Sequence, residues 1–397
     1  MTPESRIIEL ADELEPHIGR QAREGGLECL SLAIHSDAGP LYERTFRSAA
    51  ADALPDAAPL FRIGSQSKAL VVCCVMRLVQ RGLVGLDDPF FIFFPELALP
   101  AASPLRRVTL LRLMLHQTSL PAIERRMLKR PDGSYRPDLP RLEPWRLLAT
   151  VSRGPNNAVG VGEAGFNYSD FGFALLAMVV ERVSGRRFSA FAAGDVMHPA
   201  GIDAFFPGLG ACPRTAALRL VRGHDAGECP PATELGVLDP ALGGIATAAA
   251  AAAFFHTLLT GRLLSPRLTK SVRDAAIRFG PSVKGHRYSP GMLHLPVGEG
   301  QARCIGHLGI FGGFCGISAY FAPARVTISL QMNATAMRGD RGRPDVRQAN
   351  PAGFVRGLFQ RLRDDVAGRR SDMNGAVPTI WREPPPRQAS GFSMPRR

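Results

Sequence analysis

The sequence predicts an α+β fold in which an all-helical insertion interrupts a sheet domain. Alternating apolar patterns typical of strands occur near the start, over residues 27–46, and again near the end, over 287–333. The stretch between them carries helix-like segments and Pro- and Gly-rich loops, but no convincing series of strands. We therefore expect residues 1–85 and 236–366 to form one discontinuous sheet domain and residues 86–235 to form a helical insert domain.

The elements before the insert are predicted by local periodicity. Residues 4–24 place apolar side chains at helical spacing, which indicates an amphipathic helix. Strands are predicted at 27–35 and 41–46, with a turn between them at Asp37–Pro40. A helix from about residue 65 to 80 follows, and it is apolar on nearly every side, as buried helices are.

The insert and the later part of the chain differ in pattern. Helices are predicted in the insert over 108–116, 143–151, 170–184 and 188–196. A Gly-Gly turn then opens an alanine-rich helix, and further helices are predicted near 266–277 and 351–365. The later strands are predicted at 288–295, 302–307, 315–321 and 326–332. Residues 367–397 are rich in proline and arginine with little periodicity, and we expect a disordered basic tail.

Composition excludes several classes of protein. The 397 residues are 45% hydrophobic and 21% charged, which excludes a wholly disordered chain or a collagen-like repeat. The net charge is +13, and almost all of the basic residues are arginine. These residues form no stripe interleaved with aromatics. We therefore expect no nucleic-acid partner. The seven cysteines are odd in number and include no C-x-x-C pair, which favours reduced thiols over a disulfide framework or a zinc site.

Membrane and cofactor signals are also missing from the sequence. The N-terminal region is charged and lacks the apolar core of a secretory signal. The long apolar run Ala241–Leu259 is mostly alanine and contains His256, which favours a buried helix over a membrane span. No metal-ligand spacing, Walker loop or dinucleotide fingerprint occurs. We expect a cytoplasmic protein without metal, cofactor or membrane partner; the sequence leaves its oligomeric state open.

Ser65 and Lys68 form the first candidate catalytic pair. Residues three apart on a helix lie one turn apart on the same face. A serine hydroxyl needs a base to take its proton, and lysine can serve only as the neutral amine. The apolar residues around Lys68 predict a burial that lowers its pKa. Two other readings stay open: a chance pairing, and Ser65 as a helix cap.

Two further segments carry polar side chains. Tyr168 precedes an apolar helix, and a phenol beside a Ser/Lys pair can relay protons. Asp170 follows it and is also a candidate cap for that helix. His307 lies in a glycine-rich stretch that includes Gly309, where the backbone can approach a ligand closely. A lone histidine is more often structural than catalytic, so both roles stay open for His307.

Together these segments resemble the serine β-lactamase and penicillin-binding-protein superfamily, in its class C β-lactamase-type hydrolase and esterase branch. The similarity spans about residues 28–360 and depends on the order of the motifs, because each one is weak alone. The segments that carry it are Phe61–Lys68 (F-x-x-x-S-x-x-K), Leu86–Pro89 (L-D-D-P), Val108–Pro121 (close to I-T-I-R-x-L-L-x-H-T-S-G-L-P), Tyr168–Asp170 (in the place of Y-S-N), Leu242–Ala248 (close to A-G-G-L-x-S-T-A) and Gly306–Gly309 (the H-x-G form of K-T-G).

The resemblance implies a β-lactamase/transpeptidase-like fold: a mixed, largely antiparallel sheet flanked by helices, with the site between the sheet and an all-helical lobe. It implies Ser65 as the nucleophile that becomes acylated, Lys68 as the base, and Tyr168 as the residue that shuttles the proton to the leaving group. The oxyanion hole would be formed by the backbone N–H groups of Ser65 and Ile310. It further implies that His307 lines the substrate side of the cleft.

Substrate binding by Asp170, His307 and Gly309 is expected on the same grounds. Asp170 stands where the family has asparagine, and a carboxylate close to Lys68 would raise the pKa of that lysine.

The leading hypothesis is a serine hydrolase that acts on a small ester or amide through an acyl-enzyme, and the H-x-G form favours an esterase. An acyltransferase or peptide cyclase would use the same acyl-enzyme, and a catalytically silent binding protein on this fold is a further alternative.

Overall fold

A computed structural model describes the ranges 2–24, 26–48, 56–97, 99–101, 103–118, 120, 143–153, 165–225, 228–231, 234–279, 285–299, 301–338, 346–366 and 378–382. The helices in these ranges are α1 (Pro3–Glu24), α2 (Ser67–Gln80), α3 (Leu110–Met114), α4 (Pro144–Arg153), α5 (Asp170–Ser184), α6 (Phe188–Ala192), α7 (Arg214–Ala217), α8 (Ala248–Leu259), α9 (Pro266–Asp274) and α10 (Pro351–Val366). The strands are β1 (Cys29–Ser36), β2 (Gly39–Arg47), β3 (Phe61–Arg62), β4 (Phe205–Phe206), β5 (His224–Asp225), β6 (Ile245–Ala246), β7 (Ile277–Arg278), β8 (Arg287–Ser289), β9 (Met292–Pro296), β10 (Arg303–Phe311), β11 (Phe314–Phe321), β12 (Val326–Met332), β13 (Ala334–Arg338), β14 (Val346–Ala349) and β15 (Trp381–Arg382).

The main sheet joins the two ends of the chain, as the sequence predicts. Its eight strands lie in the order β2-β1-β12-β11-β10-β9-β8-β7 and pair antiparallel. Strand β1 pairs with β12, so that Leu32 faces Leu330 although almost three hundred residues separate them along the chain. A parallel pair occurs between β5 and β13 in a smaller sheet. The expected α+β class with a mixed, largely antiparallel sheet is confirmed.

Each face of the main sheet is covered by different helices, because successive residues of a strand point to opposite sides. On one face, Leu32 belongs to a buried cluster shared with α1 and α10. On the other face, Ala33 packs against Ala248 and Ala252 of α8. Small residues at this contact let the alanine-rich helix lie close to the sheet, which explains its composition. Among the helices that the structure describes, none is both long and apolar enough to cross a bilayer.

The helix α2 lies at the centre of the largest buried cluster, which it shares with α5 and the described parts of the insert. Its residues from Ser67 to Met76 are all buried, as its uniformly apolar sequence predicts. The 3₁₀ turn Gly64–Gln66 precedes it and contacts strand β10. The start of α2 therefore lies between the sheet and α5. The domain boundaries expected from the sequence stay a prediction.

The expected disorder of the basic tail is wrong for residues 378–382, whereas the rest of 367–397 lies outside the described residues. Strand β15 pairs with β14, and Ile380 is fully buried. Gln21 of α1 holds this segment through two hydrogen bonds: its Oε1 accepts from the Ile380 N–H at 2.8 Å, and its amide donates to the Pro378 carbonyl at 3.3 Å. One apolar side chain and one distant glutamine decide this docking, and neither produces a periodic signal.

The substitution Ile380→Ala should destabilise the protein by roughly 2–5 kcal/mol, because it removes a fully buried side chain and leaves a cavity. Denaturant unfolding measures this loss. The matched control Ile92→Ala truncates an isoleucine that is 51% exposed and should change the free energy of unfolding by less than about 0.5 kcal/mol. Equal effects of the two substitutions would contradict the docking of residues 378–382.

Candidate active site

Ser65 lies in the 3₁₀ turn that leads into α2, at a partly exposed position. The turn begins at Gly64, whose φ of +54° lies in the left-handed region that favours glycine. The hydroxyl of Ser67 accepts a hydrogen bond from the Gly244 N–H and donates one to the Gly64 carbonyl, which ties the turn to a neighbouring loop. Gln66, rather than Ser65, occupies the N-cap position of α2. The Ser65 hydroxyl is therefore not used as a helix cap.

Lys68 is fully buried and its ammonium group reaches Ser65, as the spacing predicts. Nζ lies 3.0 Å from Ser65 Oγ, 2.7 Å from Asp170 Oδ1 and 3.2 Å from the Ala241 carbonyl oxygen. Asp170 begins α5, but the cap of that helix is Ser169, whose hydroxyl accepts from the Gly172 N–H. The carboxylate of Asp170 is thus the charge partner of Lys68.

Tyr168 completes the group. Its side chain lies against the pair: Lys68 Nζ is 4.9 Å from the centre of the Tyr168 ring, and the phenol interacts electrostatically with Ser65 and Lys68. Burial raises the pKa of the Tyr168 phenol, an effect that the positive charge of Lys68 only partly offsets. The phenol is therefore protonated near neutral pH. The structure brings the three expected catalytic residues, Ser65, Lys68 and Tyr168, into mutual contact.

The expected neutral amine of Lys68 is wrong for the resting protein. Burial alone lowers the pKa of Lys68, but the Asp170 carboxylate and Tyr168 raise it, and the pKa ends above its ordinary value. The reason is distance, because an opposite charge at 2.7 Å outweighs the loss of water around the ammonium. Lys68 must first lose a proton before it can take one from Ser65.

The backbone of β10 at Gly309 and Ile310 lies against the turn that carries Ser65. A Cβ added to Gly309 would lie 1.8 Å from the Ile63 carbonyl oxygen, and one added to Gly64 would lie 3.0 Å from the Ile310 nitrogen. The strand and the nucleophile turn therefore touch backbone to backbone, which requires glycine at these positions. This contact places the Ile310 amide next to the Ser65 turn. The oxyanion role of both amides, and substrate binding at Gly309, stay predictions.

A buried polar cluster beneath the nucleophile turn was not anticipated from the sequence. The side-chain amides of Gln66 and Gln331 hydrogen-bond to each other, and Ser318 donates to Gln66 Oε1 at 2.7 Å. Gln66 also donates to the Ile63 carbonyl oxygen. All four residues are buried, so this cluster anchors the turn to strands β11 and β12. The sequence offered one local signal: the polar Gln66 stands between Ser65 and Lys68, just before a run of apolar helical residues.

His307 is a buried residue whose ring nitrogens both contact protein groups. The side chain is 2% exposed; its Nε2 contacts Tyr288 Oη at 3.2 Å and its Nδ1 contacts the Leu308 carbonyl oxygen at 2.6 Å. Burial lowers the pKa of His307 to about 3, so the ring is neutral. Both ring nitrogens face protein groups, which favours the structural reading that the sequence left open. Direct substrate binding by His307 and by Asp170 stays a prediction.

No group of three or more His, Cys, Asp or Glu side chains in the described ranges is arranged to hold a metal ion.

Comparison with known proteins agrees with this geometry. The family model described as Beta-lactamase matches residues 12–350. The chain belongs to the beta-lactamase family. The match includes Ser65, Lys68 and Tyr168, and membership of this family supports a serine hydrolase.

Solved structures show the same fold at low sequence identity. A penicillin-binding protein homologue from Pyrococcus abyssi has a TM-score of 0.71 at 18% identity over 91% of this chain and 78% of its own. A D-amino acid amidase from Ochrobactrum anthropi SV3, complexed with L-phenylalanine amide, has a TM-score of 0.68 at 22% identity, with 90% and 97% covered. A class C beta lactamase from Rhodobacter sphaeroides has a TM-score of 0.65 at 16% identity, with 92% and 100% covered.

The substitution Asp170→Asn should lower the pH at which Ser65 reacts. Removing the carboxylate removes the charge that raises the pKa of Lys68, so the neutral amine forms at lower pH. The pH at which labelling of Ser65 by a fluorophosphonate is half-maximal should fall by about one unit or more. The control Asp274→Asn removes an exposed carboxylate paired with Arg273 and should leave the profile unchanged. An unmoved midpoint in Asp170→Asn would show that Lys68 is not the titrating base.

The substitution Gly309→Ala should separate β10 from the nucleophile turn, because the new methyl group would lie 1.8 Å from a backbone oxygen that cannot yield. We expect a loss of stability of about 1–3 kcal/mol, together with slower labelling of Ser65. Thermal unfolding and intact-mass analysis measure the two effects. Gly165→Ala is the control, since a Cβ there meets no atom of the described residues within 4 Å.

Proposed function

We propose that this protein is a serine hydrolase that forms an acyl-enzyme on Ser65 from a small ester or amide. One observation carries the proposal: Lys68 Nζ lies 3.0 Å from Ser65 Oγ, and the ring of Tyr168 lies beside this pair, with its centre 4.9 Å from Nζ. Nucleophile, base and candidate proton shuttle are thus grouped at one place. The partly exposed Ser65 is open to a substrate, whereas Lys68 is closed to bulk water.

Acylation begins when Lys68 has lost a proton. The neutral amine takes the Ser65 proton while Oγ bonds to the substrate carbonyl carbon, and the carbonyl oxygen becomes an anion. The N–H groups of Ser65 and Ile310 would donate hydrogen bonds to that oxygen. As the intermediate collapses, the Tyr168 hydroxyl gives its proton to the leaving alcohol or amine, and Lys68 returns the proton to Tyr168.

Deacylation uses the same groups in reverse order. Water takes the place of the leaving group, and its proton passes through Tyr168 to Lys68 as its oxygen bonds to the acyl carbon. Collapse of the second intermediate breaks the bond to Ser65 Oγ, which regains its proton from Lys68. The carboxylate of Asp170 stays 2.7 Å from Nζ and stabilises each state in which Lys68 is charged.

The substrate class is proposed as small esters and amides. The structural relatives include proteins named D-amino acid amidase and D-stereospecific amidohydrolase, which supports amides as candidates. The H-x-G form of Gly306–Gly309 supports esters. A panel of activated acyl esters and amino acid amides, followed by intact-mass analysis, would identify which acyl groups reach Ser65.

The substitution Ser65→Ala should abolish covalent labelling by a fluorophosphonate and turnover of any ester in the panel, because no other group takes the place of Oγ. The control Ser271→Ala removes a hydroxyl on α9 that bonds only within its own helix, and it should leave labelling unchanged.

The same measurement separates an enzyme from a silent binding protein. A wild-type chain that is never labelled at Ser65 would favour the binding protein. Turnover that survives in Ser65→Ala would contradict the assigned nucleophile.

A further inference from the structure

A chain of four hydrogen bonds, three of them buried and one partly buried, runs beside the candidate site. The Ser169 N–H lies 3.0 Å from His116 Nδ1, and His116 Nε2 lies 3.1 Å from Tyr288 Oη. Tyr288 Oη in turn lies 3.2 Å from His307 Nε2, and His307 Nδ1 lies 2.6 Å from the Leu308 carbonyl oxygen. The rings of His116 and Tyr288 are fully buried. The chain joins the Tyr168–Asp170 segment to strands β8 and β10.

The direction of every hydrogen bond follows from the two ends of the chain. A backbone N–H can only donate, so His116 Nδ1 accepts from Ser169 and its proton lies on Nε2. His116 therefore donates to Tyr288, which must donate its own proton to His307 Nε2. The proton of His307 then lies on Nδ1 and is donated to the Leu308 carbonyl oxygen, which can only accept. The two histidines carry opposite tautomers.

The surroundings keep these groups neutral. Burial lowers the pKa of His116 well below its ordinary value and that of His307 to about 3, and the charge of Lys68 acts in the same direction. Burial raises the pKa of Tyr288 well above its ordinary value. One protonation state is thus populated over the whole neutral range of pH.

His116 holds Tyr168 from both sides. Its carbonyl oxygen accepts from the Asn167 N–H at 2.8 Å, and its Nδ1 accepts from the Ser169 N–H, so the residues before and after Tyr168 are both fixed. The imidazole ring also packs against the Tyr168 ring, with centroids 4.3 Å apart. His116 adopts a φ of +55°, a left-handed conformation that is unfavourable outside glycine and persists only where its surroundings hold it.

We infer that His116 and Tyr288 are positioning residues for Tyr168. They touch neither Ser65 nor Lys68 through any hydrogen bond described above. They act by fixing the backbone and the ring plane of Tyr168, which keeps the phenol beside Ser65 and Lys68. The effect of these residues on catalysis rests on the proposed function. The positions of the protons follow from the hydrogen bonds alone.

The first test reads the tautomers of the wild-type protein. Nitrogen-15 NMR of histidine-labelled protein at neutral pH should show His116 protonated at Nε2 and His307 protonated at Nδ1. The substitution Tyr288→Phe should abolish this signature, because it removes both the acceptor for His116 and the donor to His307. Identical or mixed tautomers in the wild type would contradict the proposed directions of the hydrogen bonds. This result does not depend on whether any variant folds.

The second test reads the catalytic consequence. In Tyr288→Phe the maximal rate of Ser65 labelling by a fluorophosphonate should fall on the order of 10- to 100-fold, while the probe concentration for half-maximal rate stays unchanged. The control Tyr320→Phe removes a phenol hydroxyl from another buried tyrosine, on β11, and should label like the wild type.

The outcomes of this second test are distinguishable. Wild-type labelling rates in Tyr288→Phe would overturn the positioning role. An unlabelled wild type would contradict the proposed function and the positioning role together. The tautomers of His116 and His307 would still test the chain of hydrogen bonds.

Discussion

The ion pair between Lys68 and Asp170 is the interaction on which the site depends. An ammonium group without access to water is tolerated only when oxygen atoms surround it and a negative charge lies close by. Here the carboxylate comes from the start of α5, a carbonyl from Ala241 and a hydroxyl from Ser65. Three segments that are distant along the chain must therefore meet at one nitrogen atom. The meeting of α2 and α5 that buries the apolar core also brings Lys68 into contact with Ser65 and Asp170.

The same constraint determines how chemistry proceeds. A charged lysine donates to Ser65 and cannot accept its proton, so activation of the nucleophile is linked to the loss of a proton from a buried pair. The partner that stabilises the fold thereby raises the energy of the reactive form. The pair of Lys68 and Asp170 makes this chain a suitable case for measuring that opposition between stability and reactivity.

The sheet side of the site is held by different means. Backbone contact at Gly309 brings β10 against the Ser65 turn, and the amides of Gln66 and Gln331 anchor the turn from below. Beside Tyr168, the chain through His116 and Tyr288 performs a similar task for the helical side. In each case a buried polar group has its partner from another part of the chain, as low-dielectric interiors require. These contacts hold the three side chains that we propose as catalytic next to one another.

The sequence by itself determined the features that depend on neighbouring residues. Periodicity predicts α1, α2, α5 and the strands β1, β2, β10, β11 and β12, whereas it gives β8 and β9 as one strand and misses β7. The three-residue spacing predicts that Ser65 and Lys68 share a face. The order of the motifs adds Tyr168 to that pair through resemblance to a family.

Only the tertiary structure decided the features that depend on distant residues. The charge of Lys68 is set by a carboxylate 102 positions away, and the ring of His307 is buried in contact with Tyr288. The docking of Ile380 depends on Gln21, 359 positions away. Periodicity reports which face of an element is apolar, whereas a pKa, a tautomer or a docked segment depends on the atoms that other elements bring within a few ångströms.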